Sequence, residues 1–176
     1  MQREQEGIKL AIHETVIGRI AIAEVGGYIT NLFFAGEPLP VAAAYLETPL
    51  ILEAFSQLES YLSGERRAFS LQLAPTGTLF MQRVWHHVTL IPYGRTASYQ
   101  EIATLAGNPQ AVRAVGMANH RNPLPIFIPC HRVLGKDGSL TGYRGGVALK
   151  QVLLALEGAS CLSGAVYNHP FRLALL

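Results

Sequence analysis

Two periodicities divide this 176-residue chain, and that division limits its fold more than any other feature. In the first part apolar side chains recur at every second position. Ile8, Leu10 and Ile12 alternate, Arg19 to Val25 and Tyr28 to Phe34 continue the pattern, and Gly26-Gly27 sits where a hairpin turn is needed. This reads as an antiparallel meander. After the Pro-rich Gly36 to Pro40, Thr48 is placed to cap a helix with Pro49 at its first position, and Ile51, Phe55, Leu58 and Leu62 form one face as far as Gly64. Phe69, Leu71 and Leu73 predict one more strand. A small α/β domain over residues 1–76 follows, with no catalytic constellation in it.

Residues 77–161 carry helical spacing and cap signals instead. A helix from Phe80 to Leu90 presents Phe80, Val84, Trp85 and Val88. Ser98-Tyr99-Gln100-Glu101 is a capping box, in which hydroxyl and carboxylate satisfy the open N–H groups of a new helix, and that helix stops at Gly107. Asn108-Pro109 reads as a cap with first-position proline, opening a second helix to His120. Two short helices joined by a Gly-containing turn are the pattern of a helix-turn-helix, which plain helical hairpins share. A hairpin with Lys136-Asp137-Gly138-Ser139 at its tip would serve as a wing, and a last helix, Val147 to Glu157, shows Leu149, Val152, Leu153 and Leu156 on one face. The predicted class is α/β: a small N-terminal α/β domain, a mainly helical C-terminal winged helix-turn-helix domain, and a tail over 162–176.

Composition narrows the function classes. Charged residues are 15%, against roughly 25% in ordinary soluble domains, and 49% are apolar, which excludes a chain kept unfolded by self-repulsion. The longest apolar stretches, Leu39 to Leu46 and Pro123 to Cys130, fall far short of the roughly 20 residues of a membrane span, and MQREQEGIKL lacks the apolar core of a signal peptide. A cytoplasmic protein without membrane association is expected. Two cysteines, Cys130 and Cys161, make neither a disulfide framework nor a four-thiolate zinc site, and His13 alone is weak evidence for metal, so no metal and no cofactor are expected. The net charge of +2 conceals an asymmetry: residues 1–75 hold five basic residues against nine glutamates, while residues 76–176 hold nine basic residues against three acids. A basic second part points toward a polyanion, although ordinary solvated surfaces carry similar excesses.

The chemistry concentrates in Ile126 to Leu134, IFIPCHRVL, a strand-like apolar run ending at Pro129. Proline fixes the backbone there, so Cys130 sits at a stiff point, and the adjacent His131 and Arg132 would favour its thiolate. The competing reading is a buried cysteine acting as a small hydrophobe. Glu157 lies in the last turn of its helix, where the macrodipole disfavours a negative charge by about 0.3–1 kcal/mol; a solvated glutamate tolerates that cost, and one that holds a histidine explains it.

NPLPIFIPCHRV (Asn122 to Val133), the preceding RAVGMANHRNP and Gly142-Tyr143-Arg144-Gly145-Gly146 closely resemble the O6-alkylguanine-DNA alkyltransferase family, the suicidal DNA-repair methyltransferases. The resemblance extends from Gly77 to Gly158, including FMQRVW and IPYGRTASYQEIA. It implies a ribonuclease H-like first domain and a single-turnover transfer of the alkyl group from O6-alkylguanine, and from O4-alkylthymine, to Cys130. By the same resemblance His131 deprotonates Cys130 through a water, Glu157 orients and charges the histidine, and Asn122 is the hinge residue. Arg113 fills the stack vacated by the extruded base, and Tyr99 rotates the flanking phosphate and donates a hydrogen bond to guanine. Ala111 and Ala114 let their helix lie close to DNA, with Val112 where some members carry alanine. Pro129, Val133, Tyr143, Arg144 and Gly145 line the alkyl pocket, Arg144 standing where some members have serine. The implied partner is double-stranded DNA bound by a monomer in the minor groove without sequence specificity, in the cytoplasm or on the nucleoid of a prokaryote.

Taken singly, Tyr99 as a packing residue, Arg113 as a solvated one and Asn122 as a turn former compete with these roles. Three other functions compete with alkyl transfer as a whole. A non-catalytic alkyltransferase-like lesion binder is disfavoured because such proteins lack the cysteine. A sequence-specific transcription factor lacks support from any regulatory segment, and a thiol hydrolase lacks a water-activating group.

Overall fold

The computed structural model describes residues 7–159; Cys161 and the tail over 162–176 lie outside the described residues. The alternating segments form strands β1 (Lys9–Thr15), β2 (Gly18–Val25) and β3 (Tyr28–Phe34). A two-residue strand, β4 (Ala44–Tyr45), completes a sheet of order β3-β2-β1-β4, antiparallel except for the β1–β4 edge. Gly26 and Gly27 both adopt positive φ, +60° and +79°, as the tight turn between β2 and β3 requires.

Helix α1 (Pro49–Leu62) starts where the sequence puts it: Thr48 Oγ1 accepts from Ile51 N (3.1 Å), with Pro49 in the first turn. Thr48 also donates to the Glu24 carboxylate, tying the helix start to β2. The inner side of α1 buries Ile51, Phe55, Leu58 and Tyr61 against Ile20, Ile22, Ile29 and Leu32 of the sheet. Each such side chain contributes about 1.5–3 kcal/mol when fully withdrawn from water. That core continues without a break into the second half, through Trp85, Val88, Ile102, Val115, Phe127 and Leu153.

In the second half, α2 (Leu79–Thr89), α3 (Tyr99–Leu105) and α4 (Val112–His120) pack together, and α5 (Val147–Leu156) closes the structure. The Ser98–Glu101 capping box forms with both of its hydrogen bonds. Trp85 Nε1 donates to Ala118 O (2.9 Å), fixing α4 on α2.

Five details differ from the sequence reading. Residues 69–73 are not a strand: Ile29 makes only two backbone bonds here, donating to Gln72 O and accepting from Ala74 N, and Ser70 N is taken by the Gln57 side chain. Phe69 is instead held by Tyr61 and Phe127, at ring separations of 5.2 and 4.9 Å. Helix α4 begins three residues later than Pro109, because Asn108 Oδ1 accepts from Gln110 N and Ala111 N bonds to Asn108 O, which spends the cap on a turn. The wing is a closed turn, Gly135 N to Ser139 O, without a returning strand; β6 (Val133–Leu134) pairs in parallel with β5 (Ala97–Ser98). Residues 126–128 are a buried turn rather than a strand. Finally, α5 is rotated from its most apolar stripe: Lys150, Leu153 and Leu154 are buried in line with Glu157, while Val152 is 37% exposed.

Candidate active site

The turn that carries Cys130 is built by one amide. Asn122, fully buried, accepts from Leu124 N with Oδ1 (3.0 Å), and its Nδ2 donates to Ile128 O (2.9 Å) and to Cys130 Sγ (3.2 Å). Ile128 N returns to Leu124 O (2.8 Å), closing a loop tight enough to hold Ile126 at φ +74°, a costly backbone state for a β-branched residue. Pro129, at φ −79° and ψ 59°, is the centre of an inverse γ-turn closed by Cys130 N and Ile128 O (2.7 Å). A single 3-10 turn, Cys130–Arg132, then sends His131 and Arg132 inward.

Both side chains converge on Glu157, the residue capping α5. His131 Nε2 lies 2.9 Å from Glu157 Oε1, and the Arg132 guanidinium donates to both carboxylate oxygens at 2.8–3.2 Å. Tyr61 Oη, arriving from α1, donates to Oε1 (2.5 Å), and Gly94 N donates to Oε2 (3.1 Å). Burial raises the Glu157 carboxyl, but hydrogen bonds from His131 and Arg132 outweigh it and hold the group down to about 2. Burial pushes His131 below its ordinary value, with Glu157 opposing, so the imidazole is neutral at physiological pH. A carboxylate on Nε2 selects the Nε2–H tautomer and leaves Nδ1 as the basic nitrogen. Nδ1 is buried and has no hydrogen-bond partner among the described residues, as is the hydroxyl of Tyr143, whose ring lies edge-on to His131 at 6.3 Å.

Cys130 is 4% exposed, and burial pushes its thiol up. The forces that favour thiolate are the Asn122 amide and the charges of Lys150 and Arg144; His131 and Arg132, expected in that role from adjacency, are committed to Glu157. Lys150 is buried, with Nζ donating to Val133 O (2.7 Å) and Thr141 O (3.2 Å). Gly94 is held at φ +73°, and a Cβ there would fall 2.8 Å from Glu157 O.

The remaining expected residues fall into two groups. Val133 and Tyr143 are buried beside the cysteine turn, and Tyr99, at the start of α3, accepts from Thr141 Oγ1 (2.9 Å) beneath Lys150, which leaves its own hydroxyl hydrogen to donate. Arg144 directs its guanidinium to Glu37, in the turn after β3. Ala111 is the N-cap of α4, and Arg113 and Ala114 lie in its first turn, both exposed. Among the described residues no three His, Cys, Asp or Glu side chains gather as a metal site.

Sequence reasoning missed Tyr61, Gly94 and the structural roles of Arg132 and Lys150. A signal existed for two of them. Tyr61 continues the buried stripe of α1, where a tyrosine hydroxyl needs a partner, and Lys150 lies seven residues before Glu157 on one face of α5.

Comparison with known proteins settles the family. The family model for the 6-O-methylguanine DNA methyltransferase ribonuclease-like domain matches residues 8–75, and that for the DNA binding domain of the same enzymes matches residues 79–159. The chain belongs to the 6-O-methylguanine DNA methyltransferase family. A constitutive methylated-DNA–protein-cysteine methyltransferase of Bacillus subtilis is 47% identical over 154 residues, covering 84% of this chain and 93% of the relative. The Methanosarcina acetivorans methyltransferase of the same name is 46% identical over 152 residues, covering 85% and 97%. Among solved structures, Mycobacterium tuberculosis OGT in complex with DNA superposes with a TM-score of 0.81 at 41% identity, covering 85% of this chain and 92% of that one. These relatives support DNA repair by alkyl transfer over the non-catalytic alternative, and the mixed α/β class matches theirs.

Proposed function

We propose that Cys130 is the alkyl acceptor and that residues 122–157 form its activating machinery. The observation that carries this is the pairing of two features on adjacent residues: an amide N–H directed at Cys130 Sγ, and a neutral His131 whose Nδ1 lone pair is kept available by Glu157 on Nε2. His131 takes the thiol proton, by way of a bridging water, and Asn122, Lys150 and Arg144 stabilise the thiolate. The sulfur attacks the alkyl carbon as the bond to guanine O6 breaks. The electron pair of that bond passes to the guanine ring, which takes a hydrogen bond from Tyr99. The product is a thioether, and no group at this site can hydrolyse it, so each molecule reacts once.

Cys130 is almost wholly enclosed, so a base within a duplex must be extruded to reach it. Arg113, on the exposed first turn of α4, fills the gap in the stack, while Ala111 and Ala114 allow that helix close approach along the minor groove. Pro129, Val133, Tyr143 and Gly145 wall the alkyl group, and a monomer suffices. The M. tuberculosis relative crystallised in complex with DNA supports DNA as the partner.

The test is incubation with duplex DNA carrying radiolabelled O6-methylguanine, with the label located by peptide mass. One methyl group per chain on Cys130 is expected, absent in Cys130→Ser with lesion binding retained. Turnover, or label on Cys161, would overturn the assignment.

A further inference from the structure

The loop over residues 142–146 has glycine at three of five positions, a composition that gives it no stiffness of its own. Three consecutive residues in it nevertheless rest on one short piece of the sheet domain, the end of β3 and the turn after it. The Tyr143 ring meets Phe34 edge-on at 6.0 Å. A Cβ on Gly145 would fall 3.0 Å from the Phe34 ring and 2.7 Å from Leu149 Cδ2, so a larger residue here would crowd both side chains and glycine lets the loop lie this close. Between them, Arg144 forms a two-pronged ion pair with Glu37: Nε to Oε1 and Nη2 to Oε2, both 2.6 Å.

The pair is about four-fifths withdrawn from solvent, with side-chain exposures of 18% and 22%. It is fixed at both ends. Glu37 Oε2 also accepts from Phe34 N (2.9 Å), so the turn after β3 presents the carboxylate rigidly. Arg144 spends its other donors on Leu32 O (3.2 Å) and on Asn122 O (2.7 Å), the backbone of the residue whose amide holds Cys130. A planar guanidinium gripping a carboxylate through two parallel bonds transmits position as well as charge. The Arg144–Glu37 pair therefore joins the sheet domain, the cysteine turn and the glycine loop at one point.

We infer that Glu37 is a specificity-determining residue acting through Arg144: the ion pair latches the glycine loop down over Cys130 and sets the largest alkyl group the acceptor accommodates. This rests on the reading of Cys130 as acceptor. A methyl group needs little room and is transferred with the latch closed. A longer chain must displace Tyr143, and the latch resists that displacement.

The experiment compares rates of Cys130 alkylation from duplexes carrying O6-methylguanine and O6-butylguanine, using the full chain, Glu37→Ala and Glu37→Gln. Loss of the carboxylate in Glu37→Ala is expected to raise the butyl-to-methyl rate ratio by about tenfold or more, the lower end of the range by which a pocket discriminates a single methylene. Glu37→Gln keeps the shape but only one prong's worth of acceptor, and its ratio should fall between the two. A ratio unchanged in both variants, whether the two rates fall together or stay level, would overturn the latch, because a merely structural role moves both substrates alike. Unaltered protein that places no label on Cys130 from either duplex would instead overturn the acceptor assignment.

Discussion

The cysteine turn and helix α4 stand next to each other in sequence and differ in almost every physical respect. From Leu124 to Leu134 every residue is buried, one backbone φ is strained, and the side chains of Asn122, His131 and Arg132 are all hydrogen-bonded. On α4, Arg113, Ala114, Met117 and His120 face solvent, and Arg113 makes no side-chain hydrogen bond or ion pair among the described residues. The first segment is held in place without substrate, since Asn122, Arg132 and His131 Nε2 are all partnered and only His131 Nδ1 is left open. The second carries side chains that no hydrogen bond or ion pair among the described residues engages. On the proposed roles, the group that performs chemistry is positioned in advance by buried polar bonds, whereas the surface that scans many DNA sites is left uncommitted.

Substitutions on the two sides should separate stability from DNA use. The largest effect is expected for Glu157→Gln. It removes the charge that offsets Arg132, which is 6% exposed, and leaves a buried cation unpaired, a change that costs about 3–5 kcal/mol. The melting temperature should fall by about 10 °C, and methyl transfer should slow by at least about tenfold at a temperature where the variant is folded, because Nε2 loses its anionic partner. Calorimetry with single-turnover labelling checks both, and a variant as stable as the parent would mean that the ion cluster contributes little.

Arg113→Ala tests the opposite side. Melting should stay within about 0.5 kcal/mol of the parent, as for surface positions generally, while repair of duplex O6-methylguanine drops by about tenfold and reaction with the free alkylated base hardly changes. Equal losses on duplex and free base would remove the reason for assigning Arg113 to the stack. A stability loss matching that of Glu157→Gln would break the contrast between the two regions.

How far the sequence revealed these regions follows the same line. The meander, the Thr48 cap, the Ser98–Glu101 box and the hairpin glycines are local devices whose partners lie within a few residues, and they were legible. The proposed acceptor pair, Cys130 and His131, was named through family resemblance, and Glu157, which the structure places on His131, also through its unfavourable helix position. Tyr61 was not, because its link to Glu157 spans 96 residues and crosses from sheet domain to helical domain. Helix α5 shows the general reason for such failures. Hydrophobic periodicity points to Leu149, Val152, Leu153 and Leu156, yet the inward stripe carries Lys150 and Glu157, since polar bonds to Val133 O, Thr141 O, His131 and Arg132 rotate the helix. Residues 126–128 mislead in the same way: apolar and β-branched, they resemble a strand, but Asn122 bends them into a turn. Where buried polar groups decide the geometry, apolar pattern is a poor guide.

Acid provides the finest discrimination between the two regions. Glu157 titrates at about 2 in the folded protein against an ordinary 4.5, so between those values the unfolded chain binds the proton first and stability falls as pH falls. His131 lies below its ordinary 6.5 in the folded state, so the unfolded chain again takes the proton first and stability begins to decline below 6.5. Both signs agree: melting temperature should be level from about pH 8 to 6.5, decline gently to 4.5 as His131 acts alone, and fall steeply below. Arg113 makes no hydrogen bond or ion pair to Glu157 or His131, so Arg113→Ala should reproduce the parent curve, displaced by little or nothing. Glu157→Gln should lack the steep acid limb, because an amide binds no proton there, and start from a lower plateau. Melting curves of the three proteins across this range distinguish these shapes. A parent stabilised by acid below 6.5, or a Glu157→Gln curve parallel to it below 4.5, would show that the His131–Glu157 pair is not the group whose protonation unfolds the acceptor site.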